Sequence, residues 1–173
     1  MSGIGSTGSI SLPQSWRGDP RRMMDTPYEN LLVSLARAEV KFIVAGGVAV
    51  ALNGFLRTTE DVDILVERSN ANLAGLLESL ASFGKGHARE LSLADFDESE
   101  GAVRLMEDFP LDIFTIMRGQ TYADLIIQSA QTAINGTTVN FLSAEALIRL
   151  KENSTREKDQ IDIAALKRLR DMR

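Results

Sequence analysis

Three carboxylates, Asp61, Asp63 and Asp112, are the side chains of this sequence best suited to do chemistry. In the stretch Asp61-Val62-Asp63-Ile64, acidic and apolar residues alternate. On a strand, that spacing puts Asp61 and Asp63 on one face and Val62, Ile64 and Val66 on the other. Two neighbouring carboxylates repel each other, and a divalent cation between them relieves the repulsion. The same spacing also describes the solvated face of a sheet. Arg57 could then neutralise the pair without any metal, and Asp-x-Asp by itself supports the two readings equally. Asp112 sits in the apolar run Leu111-Asp112-Ile113-Phe114-Thr115-Ile116, where a carboxylate is costly unless something binds it. If its strand lies beside that of Asp61 and Asp63, three carboxylates converge. Such a layout holds two cations that clamp the attacking and leaving oxygens of a phosphoryl transfer.

The elements that must position these residues follow from local patterns. Residues 42–45 read as a short apolar strand that runs into Gly46-Gly47, and a small helix follows over 48–53. A glycine pair at a strand-to-helix turn lets bare backbone N–H groups approach a phosphate, although alone it reads as a tight turn. A turn holding Arg57, Thr58 and Thr59 precedes the Asp61/Asp63 strand. Leu31, Leu32, Leu35 and Ala38 recur at helical spacing over 28–40. Leu73, Leu76, Leu77 and Leu80 do the same in a helix capped by Asn70 or Asn72. Residues 95–100 read as an acidic loop, and 102–106 and 111–116 as strands. A helix is expected over 122–130, then a hairpin over 132–141 turning at Asn135-Gly136. Ser143 opens a helix with Leu147 and Leu150 facing inward. A last helix, 156–169, carries Ile161, Ala165 and Leu169 on one face, and its charges read as a solvated face.

Composition bounds the function classes. The 173 residues, 44% of them hydrophobic and 25% charged, suit one globular domain with a proper core. Residues 1–24, rich in Gly, Ser and Pro, read as a flexible lead-in, followed by a core over 25–142 and a helical portion over 143–173. With no cysteine, neither a disulfide framework nor a thiolate metal site is available. The single histidine, His87, lies in a Gly/Lys-rich stretch and receives no role. No apolar run reaches transmembrane length and no signal peptide is expected, so the default location is cytoplasmic. The net charge of −5 is uneven: about +2 over 1–24, −10 over 25–148 and +3 from Arg149 onward. An acidic middle does not bind a polyanion unaided. Nucleotides would need cations in the acidic cleft together with the basic C-terminal helices.

The ordered pattern resembles the nucleotidyltransferase superfamily of the DNA polymerase β type. The resemblance rests on a strand, Gly46-Gly47, a short helix, Arg57-x-Thr59-x-Asp61-Val62-Asp63-Ile64 and the later strand residue Asp112. More narrowly, the tail EALIRLKENSTREKDQIDIAAL resembles small bacterial proteins of the AbiEii kind, often found as toxins of toxin–antitoxin pairs. The resemblance covers residues 28–170 and implies an α+β fold, a short mixed β-sheet flanked by helices with a small helical C-terminal portion. It implies transfer of NMP from an NTP to an acceptor hydroxyl, with Mg²⁺ or Mn²⁺ on Asp61, Asp63 and Asp112. Asp112 would also serve as the base. Gly46, Gly47, Arg57, Thr59, Lys151 and Lys158 fall at nucleotide-binding positions, and the acceptor would be RNA such as tRNA, a protein or a small molecule. A cognate antitoxin is an implied partner. The alternative is a catalytically weak binding or regulatory module acting through a protein partner. Where the family often has Gly-Ser this chain has Gly46-Gly47, which removes one hydroxyl contact to phosphate.

Overall fold

A computed structural model describes residues 27–173; the lead-in expected over 1–24 lies outside them. The chain opens with helix α1 (Pro27–Arg37) and strand β1 (Phe42–Ala45), and continues through α2 (Gly46–Leu52), β2 (Val62–Val66) and α3 (Asn70–Ala81). After two 3₁₀ turns come β3 (Ala102–Met106), β4 (Pro110–Phe114), the short strands β5 (Ile116–Met117) and β6 (Gln120–Thr121), and α4 (Tyr122–Ile126). The hairpin β7 (Ser129–Ile134) and β8 (Thr137–Leu142) leads to α5 (Ala144–Lys151) and α6 (Glu157–Asp171).

Six strands form one mixed sheet in the order β3-β4-β2-β1-β8-β7, and β5 and β6 pair separately. Strand β2 runs antiparallel to β1 and parallel to β4, whereas β1 runs parallel to β8. The central strands are buried on both faces: every residue of β1 is buried, as are Val62, Ile64, Leu65 and Val66 of β2. That explains their near-continuous apolar runs. Helix α1 buries Leu31, Leu32 and Leu35, and α3 buries Leu73, Leu76 and Leu80, each face set by the helical spacing of its leucines. Each fully buried leucine contributes about 1.5–3 kcal/mol of transfer free energy. Among the described residues, no helix is long and apolar enough to cross a membrane.

Local chemistry departs from expectation in three places. Helix α3 is capped by Ser69, whose side chain accepts from the Asn72 N–H. Asn72 instead donates to the carbonyls of Lys41 and Glu67, tying the helix to the ends of β1 and β2. The helix expected over 122–130 stops at Ile126, because the chain from Ser129 is claimed by β8 as a ladder partner from Ser129↔Leu142 to Ile134↔Thr137. The turn of that hairpin falls at Asn135 and Gly136 as expected, both with positive φ of 50° and 74°. Finally, on α6 Ile161 is exposed and Ala165 and Leu169 are only half-buried, and the buried residues are Asp159, Asp162, Ile163 and Leu166. The acids read as solvated are inside, for reasons that lie in the neighbouring cations described below.

Candidate active site

The register of four strands assembles one row of side chains across the sheet. Arg104 on β3 pairs with Asp112 on β4, Asp112 pairs with Asp63 on β2, and Asp63 pairs with Ala45 on β1. Directly paired positions share a face, so Arg104, Asp112 and Asp63 project together, and Asp61, two residues before Asp63, joins them. The parallel pairing of β2 and β4 therefore brings together the carboxylates that the sequence separates. Ligand-capable oxygens of Asp61, Asp63 and Asp112 lie within 4.8 Å of one another. This is a hard, all-oxygen donor set of the kind that Mg²⁺ or Mn²⁺ takes.

Small residues make room for the triad. Gly46 follows Ala45 with φ +57°, a conformation that favours glycine. A Cβ built on Gly46 would stand 1.8 Å from Asp63 Oδ2, so a side chain there and the observed Asp63 carboxylate exclude each other. At Gly47 a Cβ would meet Thr59 Oγ1 at 2.6 Å and Arg57 Nη1 at 3.0 Å. A serine side chain at this position would meet Thr59 and Arg57 as they stand here. The Thr59 hydroxyl donates to the Asp61 carbonyl at 3.2 Å.

The basic residues divide into paired and free. Arg57 does not neutralise Asp61 and Asp63. Its Nε and Nη2 bind both oxygens of Asp162 at 2.7 and 2.9 Å, and Asp162 is completely buried. Lys151 bonds Asp159 at 2.6 Å and Asp162 at 3.2 Å, while Ser154 Oγ donates to Asp159 at 2.6 Å. These cations are why two acids of α6 point inward: an unpaired buried carboxylate would be far costlier than a paired one. Burial pushes the Asp159 carboxyl upward, but the hydrogen bonds from Lys151 and Ser154 outweigh it and hold the group below the usual range. Lys158, by contrast, is exposed and has no ion-pair partner among the described residues.

Among the described residues, the cation ion-paired with the triad is Arg104, which the sequence did not single out. Its Nε and Nη2 donate to the two oxygens of Asp112, both at 2.7 Å, and Nη2 lies 3.5 Å from Asp61 Oδ2. These bonds hold its guanidinium pKa above the ordinary value. The signal was present in the spacing: Arg104 and Asp112 stand eight residues apart across a tight antiparallel hairpin, which makes them cross-strand partners.

These residues line one cleft of about 360 Å³. One wall carries Gly46, Gly47 and the three aspartates, and another carries Lys151 and Lys158 from α5 and α6. Phe114, Met117, Leu142, Leu147 and Leu150 add an apolar side. Arg57 also reaches the cleft, whereas Thr59 stays behind Gly47.

Burial, the charges of Asp61 and Asp112 and a hydrogen bond with Asp112 push the Asp63 carboxyl up to about 7, with Lys151 opposing. A group whose folded pKa exceeds its unfolded one binds more protons when folded, so its contribution to stability falls as pH rises. In chelator, denaturant unfolding should therefore show stability declining from about pH 4 to 7 through this group, and Asp63→Asn should flatten that decline. An identical slope in both proteins would contradict the assignment.

A family model described as "Nucleotidyl transferase of unknown function (DUF2204)" matches residues 25–173. Among solved structures, an antigenic nucleotidyltransferase-like protein from Paracoccidioides brasiliensis superposes with a TM-score of 0.53 at 20% sequence identity. The match covers 80% of this chain and 74% of that one, a likeness of fold. No curated protein sequence matches the chain.

Proposed function

The chain belongs to the nucleotidyl transferase family of that description, and from this premise we propose that it moves NMP from an NTP to an acceptor hydroxyl. The observation that carries the reading is the convergence of Asp61, Asp63 and Asp112 within 4.8 Å beside the bare backbone of Gly46 and Gly47. The three carboxylates fit Mg²⁺ or Mn²⁺ by donor type, and a positive group, the Arg104 guanidinium, already lies against two of them. Bound cations would neutralise the triphosphate and the departing pyrophosphate.

The chain's own residues supply the rest. Gly46 and Gly47 let the triphosphate approach the backbone. Lys158, exposed on the cleft wall and without an ion-pair partner among the described residues, would meet its outer phosphates. Lys151 and Arg57 act from fixed positions, because Asp159 and Asp162 hold them in place. The acceptor oxygen attacks the α-phosphorus, its proton passes to Asp112, and the bond to pyrophosphate breaks. Residues 25–142 form the nucleotidyltransferase core, and the helical portion 143–173 contributes the second wall of the cleft. The acceptor is an RNA such as tRNA, a protein or a small molecule, and cytoplasmic action belongs to the same reading. A role as an AbiEii-like toxin with a cognate antitoxin belongs to the same reading.

A second reading is a catalytically weak module that works through a protein partner. It is favoured by Arg104, which already pairs with two of the three carboxylates, and by Lys151, whose charge is shared between two others. Calorimetry with Mg·NTP separates the two. Wild type should bind, and the double variant Asp61→Asn with Asp63→Asn should lose binding while folding normally. Undiminished Mg·NTP binding in the double variant would overturn the site.

A further inference from the structure

Arg104 sits on β3, an edge strand of the sheet, with about half of its side chain exposed. It nevertheless leans across β4 to make two hydrogen bonds with Asp112, and the same Nη2 faces Asp61. A cation bridging Asp61 and Asp112 would need the oxygens that this guanidinium holds, at the shorter distance of about 2.0–2.1 Å for Mg²⁺. Two positive groups cannot share those oxygens without strong repulsion. The side chain also lines the cleft beside the proposed triphosphate position, and its planar fork suits a phosphate as well as a carboxylate.

We propose that Arg104 is a resident counterion that must leave Asp112 before a divalent cation can enter, and that the triphosphate receives it. The proposal rests on the nucleotidyltransferase reading above. It makes binding of cation and nucleotide cooperative. A cation arriving alone displaces Arg104 into solvent, whereas one arriving with NTP leaves the guanidinium a new anionic partner. The metal would thus be taken up with the nucleotide rather than held by the nucleotide-free protein.

Mn²⁺ affinity, measured by electron paramagnetic resonance with and without a non-hydrolysable NTP analogue, tests this on the full chain. Arg104→Gln should bind Mn²⁺ alone about tenfold more tightly than wild type, within the range of about 5–150-fold seen for coupled sites. The gain in Mn²⁺ affinity on adding the analogue should be large in wild type and small in the variant. Arg104→Lys, which keeps the charge but loses the fork, should fall between them. Equal or weaker Mn²⁺ binding by Arg104→Gln in the absence of analogue would overturn the proposal while leaving the nucleotidyltransferase reading intact. Failure of both wild type and Arg104→Gln to bind Mn²⁺, with or without analogue, would overturn that reading and this proposal together.

Discussion

Asp112→Asn is expected to reduce nucleotide transfer by about 10²–10⁴-fold, the usual contribution of general-base assistance. Asp112 is 7% exposed and sits between Arg104 on one neighbouring strand and Asp63 on the other. Asparagine keeps its size but neither takes up the proton of the attacking hydroxyl nor offers two acceptors to the Arg104 fork. The chemical step should therefore suffer most. Mg·NTP affinity should stay within a few-fold, since Asp61 and Asp63 remain as ligands. Three readouts on one sample separate the explanations. Loss of transfer with retained binding supports a base or ligand at this position. No transfer in either protein supports the binding module. A changed melting temperature with full transfer would remove Asp112 from the active site.

Gly46→Ala is expected to disable the site through geometry alone. The new Cβ would stand 1.8 Å from Asp63 Oδ2 and 2.8 Å from its Cγ. Backbone relief is limited, because Ala45, one residue earlier, is locked opposite Asp63 in the β1–β2 ladder. The φ of +57° adds a conformational cost of about 1–2 kcal/mol for an L-residue. For a chain of this size that strain alone lowers the melting temperature by about 2–8 °C. Asp63 must then swing away, so Mg·NTP binding should disappear even though no charge has been changed. Gly75→Ala is the matched control. Gly75 lies inside α3 with nothing within 4 Å of a built Cβ, and alanine there should leave binding unchanged and stabilise the helix by about 0.5–1 kcal/mol. Wild-type Mg·NTP affinity in Gly46→Ala would mean that the nucleotide does not use the Asp63 carboxylate.

Much of this site was legible because its signals are local. Period-2 alternation put Asp61 and Asp63 on one face, and the run around Asp112 marked a carboxylate in need of a partner. The β-hairpin turn at Asn135-Gly136 and the Ser143 cap were equally readable, since turn and cap chemistry depend on a few adjacent residues. What escaped is non-local. Arg104 gains its meaning only when β3 folds back on β4. The charged residues of α6 look solvated in sequence because nothing local says that Arg57, more than a hundred residues earlier, will meet Asp162 in the interior. The overlong helix at 122–130 has the same origin: the ladder with β8 outweighs the helical tendency of a short segment.

The most direct measurement is transfer itself. Each α-labelled NTP is incubated with the wild-type protein, Mg²⁺ and total cell RNA or protein, and incorporated label and released pyrophosphate are counted together. The nucleotidyltransferase reading predicts label in the acceptor fraction with one pyrophosphate released per nucleotide, both abolished in Asp63→Asn. Undiminished label transfer in Asp63→Asn, or no transfer by wild type with any NTP or acceptor pool, would contradict it.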